Sequence, residues 1–130
     1  MVVMEKGLVL VVDDEPSIIR LLANSVEAAS LRCISAGDGE EGFQKFSQYH
    51  PSILVIDFKM PKKNGPTLAR EVRSTDEGRQ VYIIGFTGYD CQLDEAAARC
   101  FNVILHKPKG IQQIPSALLE AIQRQGAYVP

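Results

Sequence analysis

This sequence has no excess of basic residues. Fourteen Lys and Arg stand against sixteen Asp and Glu, for a formal net charge of −2 and a pI near 5.7. That balance argues against nucleic acid as a direct partner, because phosphate-backbone binding needs clustered positive charge. Cysteine is scarce too: Cys33, Cys91 and Cys100 are odd in number and form no CxxC pair. A disulfide framework and a zinc site are both disfavoured, and reduced thiols are the plain reading. His50 and His106 fall in no metal-ligand spacing. The apolar run at 8–12 is too short for a membrane span and is cut off by two aspartates, with no small-residue cleavage site nearby. These absences make a cytoplasmic protein without membrane insertion the default expectation. Repeats, low-complexity tracts and linkers are missing as well, so one domain over 1–130 is expected, with a core of about 6–126 and a short loose tail at 127–130.

What is present is ordinary for a globular domain, with 45% hydrophobic and 23% charged residues. Short apolar runs at 8–12, 32–35, 53–56, 81–86 and 102–105 read as strands, several too uniformly apolar to have a wet face. Helical stretches alternate with them. Pro16 suits a first helical turn, and Ile18, Leu22, Val26 and Ala29 then recur at helical spacing. Asp38 caps 39–49, 66–73 and 94–99 read as weaker helices, and Ile111, Ile114, Leu118 and Ile122 mark a last helix stopped by Gly126. Five strands alternating with five helices give an α/β fold, and right-handed crossovers make a doubly wound parallel sheet its simplest topology.

Ligands of such sheets bind at the carboxyl ends of the strands. The first strand runs into Asp13-Asp14, the third into Asp57, the fourth into Thr87-Gly88, and the fifth through His106 into Lys107-Pro108. Two carboxylates about 4 Å apart repel by roughly 4 kcal/mol at an effective dielectric of 20. Three would drive a proton back onto one of them unless a cation sat among them. A hard divalent ion with oxygen ligands, magnesium first and manganese second, relieves that repulsion. With Lys107 the total comes to about zero charge, which suits a site that takes a phosphoryl group onto a carboxylate.

The motifs VVDDEPS, DFKMPKKNG, FTG and HKP, in that order, resemble those of the response-regulator receiver family. Each is weak alone; the ordered set, with D-x-x-M-P-x-x-x-G from Asp57 to Gly65, is specific. The resemblance implies a flavodoxin-like five-stranded parallel sheet of order 2-1-3-4-5. It implies Asp57 as phosphoacceptor from a sensor histidine kinase or phosphotransfer protein, signalling to an unknown downstream protein rather than acting as an enzyme. Asp14, Asp57 and the backbone carbonyl of Lys59 would ligate magnesium, and Asp13 would act mainly through a metal-bound water. Lys107 and Thr87 would contact the phosphoryl oxygens, and Lys107-Pro108 would carry a cis peptide. Lys59 and Tyr89 would flank the phosphoryl group and govern access of water.

One position departs from the family. Ile104 stands where the family often has an aromatic that rotates with the threonine, so either the switch is modified or Ile104 is a core strand residue. Two other readings compete. A haloacid-dehalogenase-type phosphatase would need Asp13 as nucleophile and an aspartate where Glu15 stands; a degenerate receiver would keep the fold as an unphosphorylated interaction module. The turn Gly37, Gly39, Gly42 also spells a dinucleotide fingerprint, but its acidic residues Asp38, Glu40 and Glu41 would repel a pyrophosphate.

Overall fold

A computed structural model describes residues 4–88, 93–107 and 109–125. Five strands, β1 (Glu5–Val12), β2 (Arg32–Ala36), β3 (Pro51–Asp57), β4 (Tyr82–Thr87) and β5 (Val103–His106), form one parallel sheet of order β2-β1-β3-β4-β5. Five helices connect them: α1 (Pro16–Ala28), α2 (Gly39–Tyr49), α3 (Gly65–Arg73), α4 (Glu95–Ala98) and α5 (Gly110–Gln125). The doubly wound fold expected from the alternation is the fold observed.

The sheet is covered on both faces because its strands are apolar on both. Alternate residues of each strand point to opposite sides. Val9, Val11, Ile53, Val55, Ile84 and Phe86 meet Leu22 and Val26 of α1 and Ile114, Leu118 and Ala121 of α5. Their neighbours Leu10, Val12, Leu54, Ile56 and Ile83 meet Phe46 of α2 and Leu68, Ala69 and Val72 of α3. β3 is buried at all seven positions, so the central strand ends in a carboxylate with no solvated strand residue before it.

The expected bounds shift at several ends. β1 begins earlier, at Glu5, where a register break against β3 lies between Glu5 and Val9 and Gly7 takes a φ of 78°. α4 is shorter than 94–99: Asp94 is its cap, accepting from the Ala97 amide at 2.7 Å, and Arg99 ends it. A 3-10 turn at Glu77–Arg79, not foreseen in the sequence, lies between α3 and β4. α5 carries Pro115 in its interior, and the helix runs through it. The tail at 127–130 and Gly126 lie outside the described residues.

The glycine turn is a helix cap. Asp38 accepts from the Glu41 amide at 2.8 Å, and the Glu41 carboxylate reaches back to the Gly37 amide at 2.7 Å. The donors a pyrophosphate would need are thus taken by this chain's own carboxylates. A Cβ on Gly39 would collide with the Lys63 carbonyl oxygen, so that glycine permits a close approach of two backbones.

Candidate functional site

The parallel ladder itself brings the site residues together. Asp13 follows the last residue of β1, and its amide donates to the Ala36 carbonyl at 3.1 Å. Asp57 ends β3 in register with Phe86 of β4, and Thr87 ends β4 in register with His106 of β5. The Lys107 amide then donates to the Thr87 carbonyl at 2.7 Å, extending the ladder one step and setting the lysine beside the threonine. Four strands therefore stop at one level of one edge, each with a functional group at or just past its end.

Carboxylate oxygens of Asp13, Asp14 and Asp57 all lie within 4.8 Å of one another. Lys107 straddles two of them, its Nζ 3.4 Å from Asp13 Oδ2 and 3.5 Å from Asp57 Oδ1. The same ammonium sits 5.1 Å from the centroid of the Phe86 ring, a cation–π contact that steadies it. Asp13, at 0% exposure, has its other oxygen held by the Glu15 amide at 2.9 Å. Asp14 is exposed and Thr87 is buried.

Burial decides the electrostatics. It pushes the Asp57 carboxyl up to about 6, helped by the neighbouring Asp13 charge and opposed by Lys107. Asp13 is raised as well, again chiefly by burial, against the Glu15 amide and Lys107. One lysine leaves the three acids short of positive charge. A divalent cation among them would supply it, and an all-oxygen donor set suits a hard ion. The residues present fit such an ion.

A cavity of about 610 Å³ opens over this edge, lined among others by Asp14, Asp57, Lys59, Met60, Gly88 and Lys107. Asp57 lines it and Asp13 does not. The loop that forms its wall is pinned from below: Gly65 donates to the Phe58 carbonyl at 2.9 Å, and a Cβ there would collide with the Asp57 carbonyl oxygen. The glycine at the end of D-x-x-M-P-x-x-x-G thus lies directly against the backbone of Asp57.

Of the residues singled out in the sequence, Asp13, Asp14, Asp57, Thr87 and Lys107 meet at this edge, and Lys59 lines the cavity. Tyr89 and Pro108 lie outside the described residues. Ile104 pairs with Gly85 and packs, partly buried, against the cluster that holds Phe58 and Phe101. His106 is exposed at the end of β5. His50, read as a plain loop residue, ends α2 in the left-handed region (φ 53°) and sets its Nδ1 2.7 Å from Glu77 Oε2, remote from the acidic edge. Sequence reasoning did not assign Glu15 and Phe86 to the site. Their signal was adjacency alone, one following Asp13-Asp14 and the other preceding Thr87.

A family model described as response regulator receiver domain matches residues 9–119. The chain is 39% identical over 74 residues to a probable transcriptional regulator, ycf27, of Porphyridium aerugineum; the match takes in 57% of this chain and 31% of the relative, so the chain spans about a third of that protein's length. It superposes on a response regulator receiver domain protein from Clostridium thermocellum with a TM-score of 0.79 at 27% identity, covering 91% of this chain and 95% of that one. The response regulator protein TrrA from Thermotoga maritima, solved in complex with Mg(2+)-BeF, gives a TM-score of 0.79 at 24% identity, with 88% and 97% covered. Motif order, sheet topology and family match agree: this chain belongs to the response regulator receiver domains of two-component signalling.

Proposed function

We propose that this receiver takes a phosphoryl group onto Asp57 from the phosphohistidine of a sensor histidine kinase or phosphotransfer protein, and that the phosphorylated form changes its binding to a downstream protein. The observation that carries this reading is that Asp57 is the buried carboxylate that opens onto the cavity. Asp13 has one oxygen on the Glu15 amide and the other facing Lys107, which leaves it poorly placed as a nucleophile. The haloacid-dehalogenase alternative, which requires attack by Asp13, loses support for the same reason.

In this reading Asp14, Asp57 and the Lys59 carbonyl would hold magnesium, or manganese in its place, with Asp13 acting mainly through a metal-bound water. The ion would supply positive charge beside the transferring oxygens. An Asp57 oxygen attacks phosphorus as the P–N bond breaks, and the leaving imidazole nitrogen takes up a proton. Lys107, already 3.5 Å from Asp57, pairs with a phosphoryl oxygen once the acyl phosphate forms. Thr87, beside Lys107 on the ladder, hydrogen-bonds the phosphoryl group and carries the change to β4 and β5. The Thermotoga protein complexed with Mg(2+)-BeF has this fold and supports the choice of ion.

A small-molecule phosphodonor tests the proposal. With magnesium, wild type should gain one phosphoryl group by intact-mass spectrometry and should not turn over many donor molecules as a phosphatase would. Chelation by EDTA or the change Asp57→Asn should abolish labelling. Labelling that persists in Asp57→Asn would overturn it.

A further inference from the structure

The opposite edge of the sheet carries a second cavity, of about 650 Å³, at the amino ends of the strands. Four arginines line it, Arg73, Arg79, Arg99 and Arg124, together with Tyr82 and Asn102; no aspartate or glutamate does, among the described residues. In a chain of net charge −2 this is a marked local reversal.

Arg73 is the fixed member. Its Nε donates to the Cys100 carbonyl at 3.0 Å, Nη1 to the Gly78 and Val81 carbonyls at 2.8 and 2.6 Å, and Nη2 to Asn102 Oδ1 at 2.8 Å. All of these partners are neutral, and no carboxylate pairs with Arg73 among the described residues. Its charge is held in place without a counter-charge. The other three are adaptable. Arg79, Arg99 and Arg124 have side chains 72%, 73% and 60% exposed and pair with Asp76, Glu95 and Glu120 at 3.7, 3.4 and 3.8 Å. Exposed pairs of this kind are weakly held and can be exchanged for a better anion.

The arginines have one competing use, since Arg73 and Arg124 lie in the last turns of α3 and α5 and Arg99 caps α4, where cations offset helix dipoles. Together with Asp76, Glu95 and Glu120 these helix ends offset most of the positive charge, so anion binding here depends on exchanging the three exposed carboxylate pairs. Arg79 ends no α-helix, and dipole compensation does not require all four to face one cavity.

We propose that this cavity binds a small molecule bearing adjacent phosphates, either a nucleoside diphosphate or inorganic pyrophosphate. The guanidinium fork matches phosphate oxygens two at a time, and the cavity volume is that of a small-molecule site. It lies across the sheet from Asp57, so occupancy there would not compete with phosphorylation.

Calorimetric titration with pyrophosphate and with ADP, both in EDTA to keep divalent ions from the acidic edge, tests this on the full chain. Saturable single-site binding that weakens with salt is expected. Arg79→Ala with Arg124→Ala should lower affinity about a hundredfold, roughly one order of magnitude for each charge-assisted hydrogen bond removed; Arg124→Lys should lose less, and Asp57→Asn nothing. Tighter binding of ADP identifies the nucleoside diphosphate, and equal affinity identifies recognition of the phosphates alone. Amide shifts should map to Arg79, Arg99 and Arg124, which remains readable if the double variant folds poorly. Lack of saturable binding, shifts confined to Asp13, Asp57 and Lys107, or binding of an acidic peptide but of neither phosphate compound would overturn the proposal.

Discussion

At the scale of the residue, Asp57 is costly to keep ionised. Its carboxyl titrates near 6 in the folded chain against an ordinary 3.8. The folded state therefore binds the proton more tightly than the unfolded state between those values. That contribution is present at low pH and is lost as pH rises through about 6, a loss of roughly 3 kcal/mol at 1.4 kcal/mol per unit. In EDTA, urea unfolding at pH 8 should find Asp57→Asn more stable than wild type by up to that amount, with the advantage shrinking towards pH 4 or on adding magnesium. A difference between the two proteins that does not vary with pH would contradict this. Lys59 lines the cavity, and Tyr89 follows Gly88 in the sequence. If they restrict water, Lys59→Ala and Tyr89→Ala should each shorten the aspartyl-phosphate half-life severalfold, followed by phosphate release. Unchanged decay in both would sink the idea.

At the scale of the element, the loop between β3 and α3 connects fold to chemistry. Asn64 caps α3 by accepting from the Thr67 amide at 2.9 Å, and Gly65 lets the helix start lie against Asp57 and Phe58. Gly65→Ala would place a methyl into backbone that cannot yield, costing about 1–3 kcal/mol by overpacking and slowing phosphorylation by moving the cavity wall. Asn64→Ala should cost about 1 kcal/mol by removing the cap, with phosphorylation unchanged. Denaturant melts and phosphodonor kinetics on both variants separate the two effects; equal rates in both would refute the link. Elements that pack against the sheet were legible in the sequence because burial imposes a period: β3 and α2 fall where apolar spacing puts them. Elements set by side-chain hydrogen bonds were not. The 3-10 turn at Glu77–Arg79 leans on the Thr75 hydroxyl, which accepts from the Gly78 amide at 3.0 Å, and such a bond leaves no periodic trace. The first residues of β1 were hidden for a related reason, since Glu5 and Lys6 are exposed and join the sheet only past a break in register.

At the scale of the whole molecule, the two edges of one sheet carry different linings, carboxylates with Lys59 and Lys107 at one and arginines at the other. The acidic edge was readable because strand ends in a parallel sheet converge, so Asp13, Asp57, Thr87 and Lys107 could be placed together from order alone. The arginine edge was not. Arg73, Arg79, Arg99 and Arg124 sit at the ends of different elements, and only packing shows that they share a cavity. How phosphorylation would be transmitted is likewise unmarked in the sequence beyond Ile104, which packs partly buried against the cluster that holds Phe58 and Phe101. The proposed chemistry rests on one carboxylate, and the most direct measurement tests whether a phosphoryl group is placed on it. After phosphodonor treatment with magnesium, borohydride reduction converts an aspartyl phosphate to homoserine, and peptide mass spectrometry reads the position. Homoserine at position 57 and nowhere else is the expected result. Homoserine at Asp13 or Asp14, or a phosphoryl group retained on His50 or His106, would contradict it.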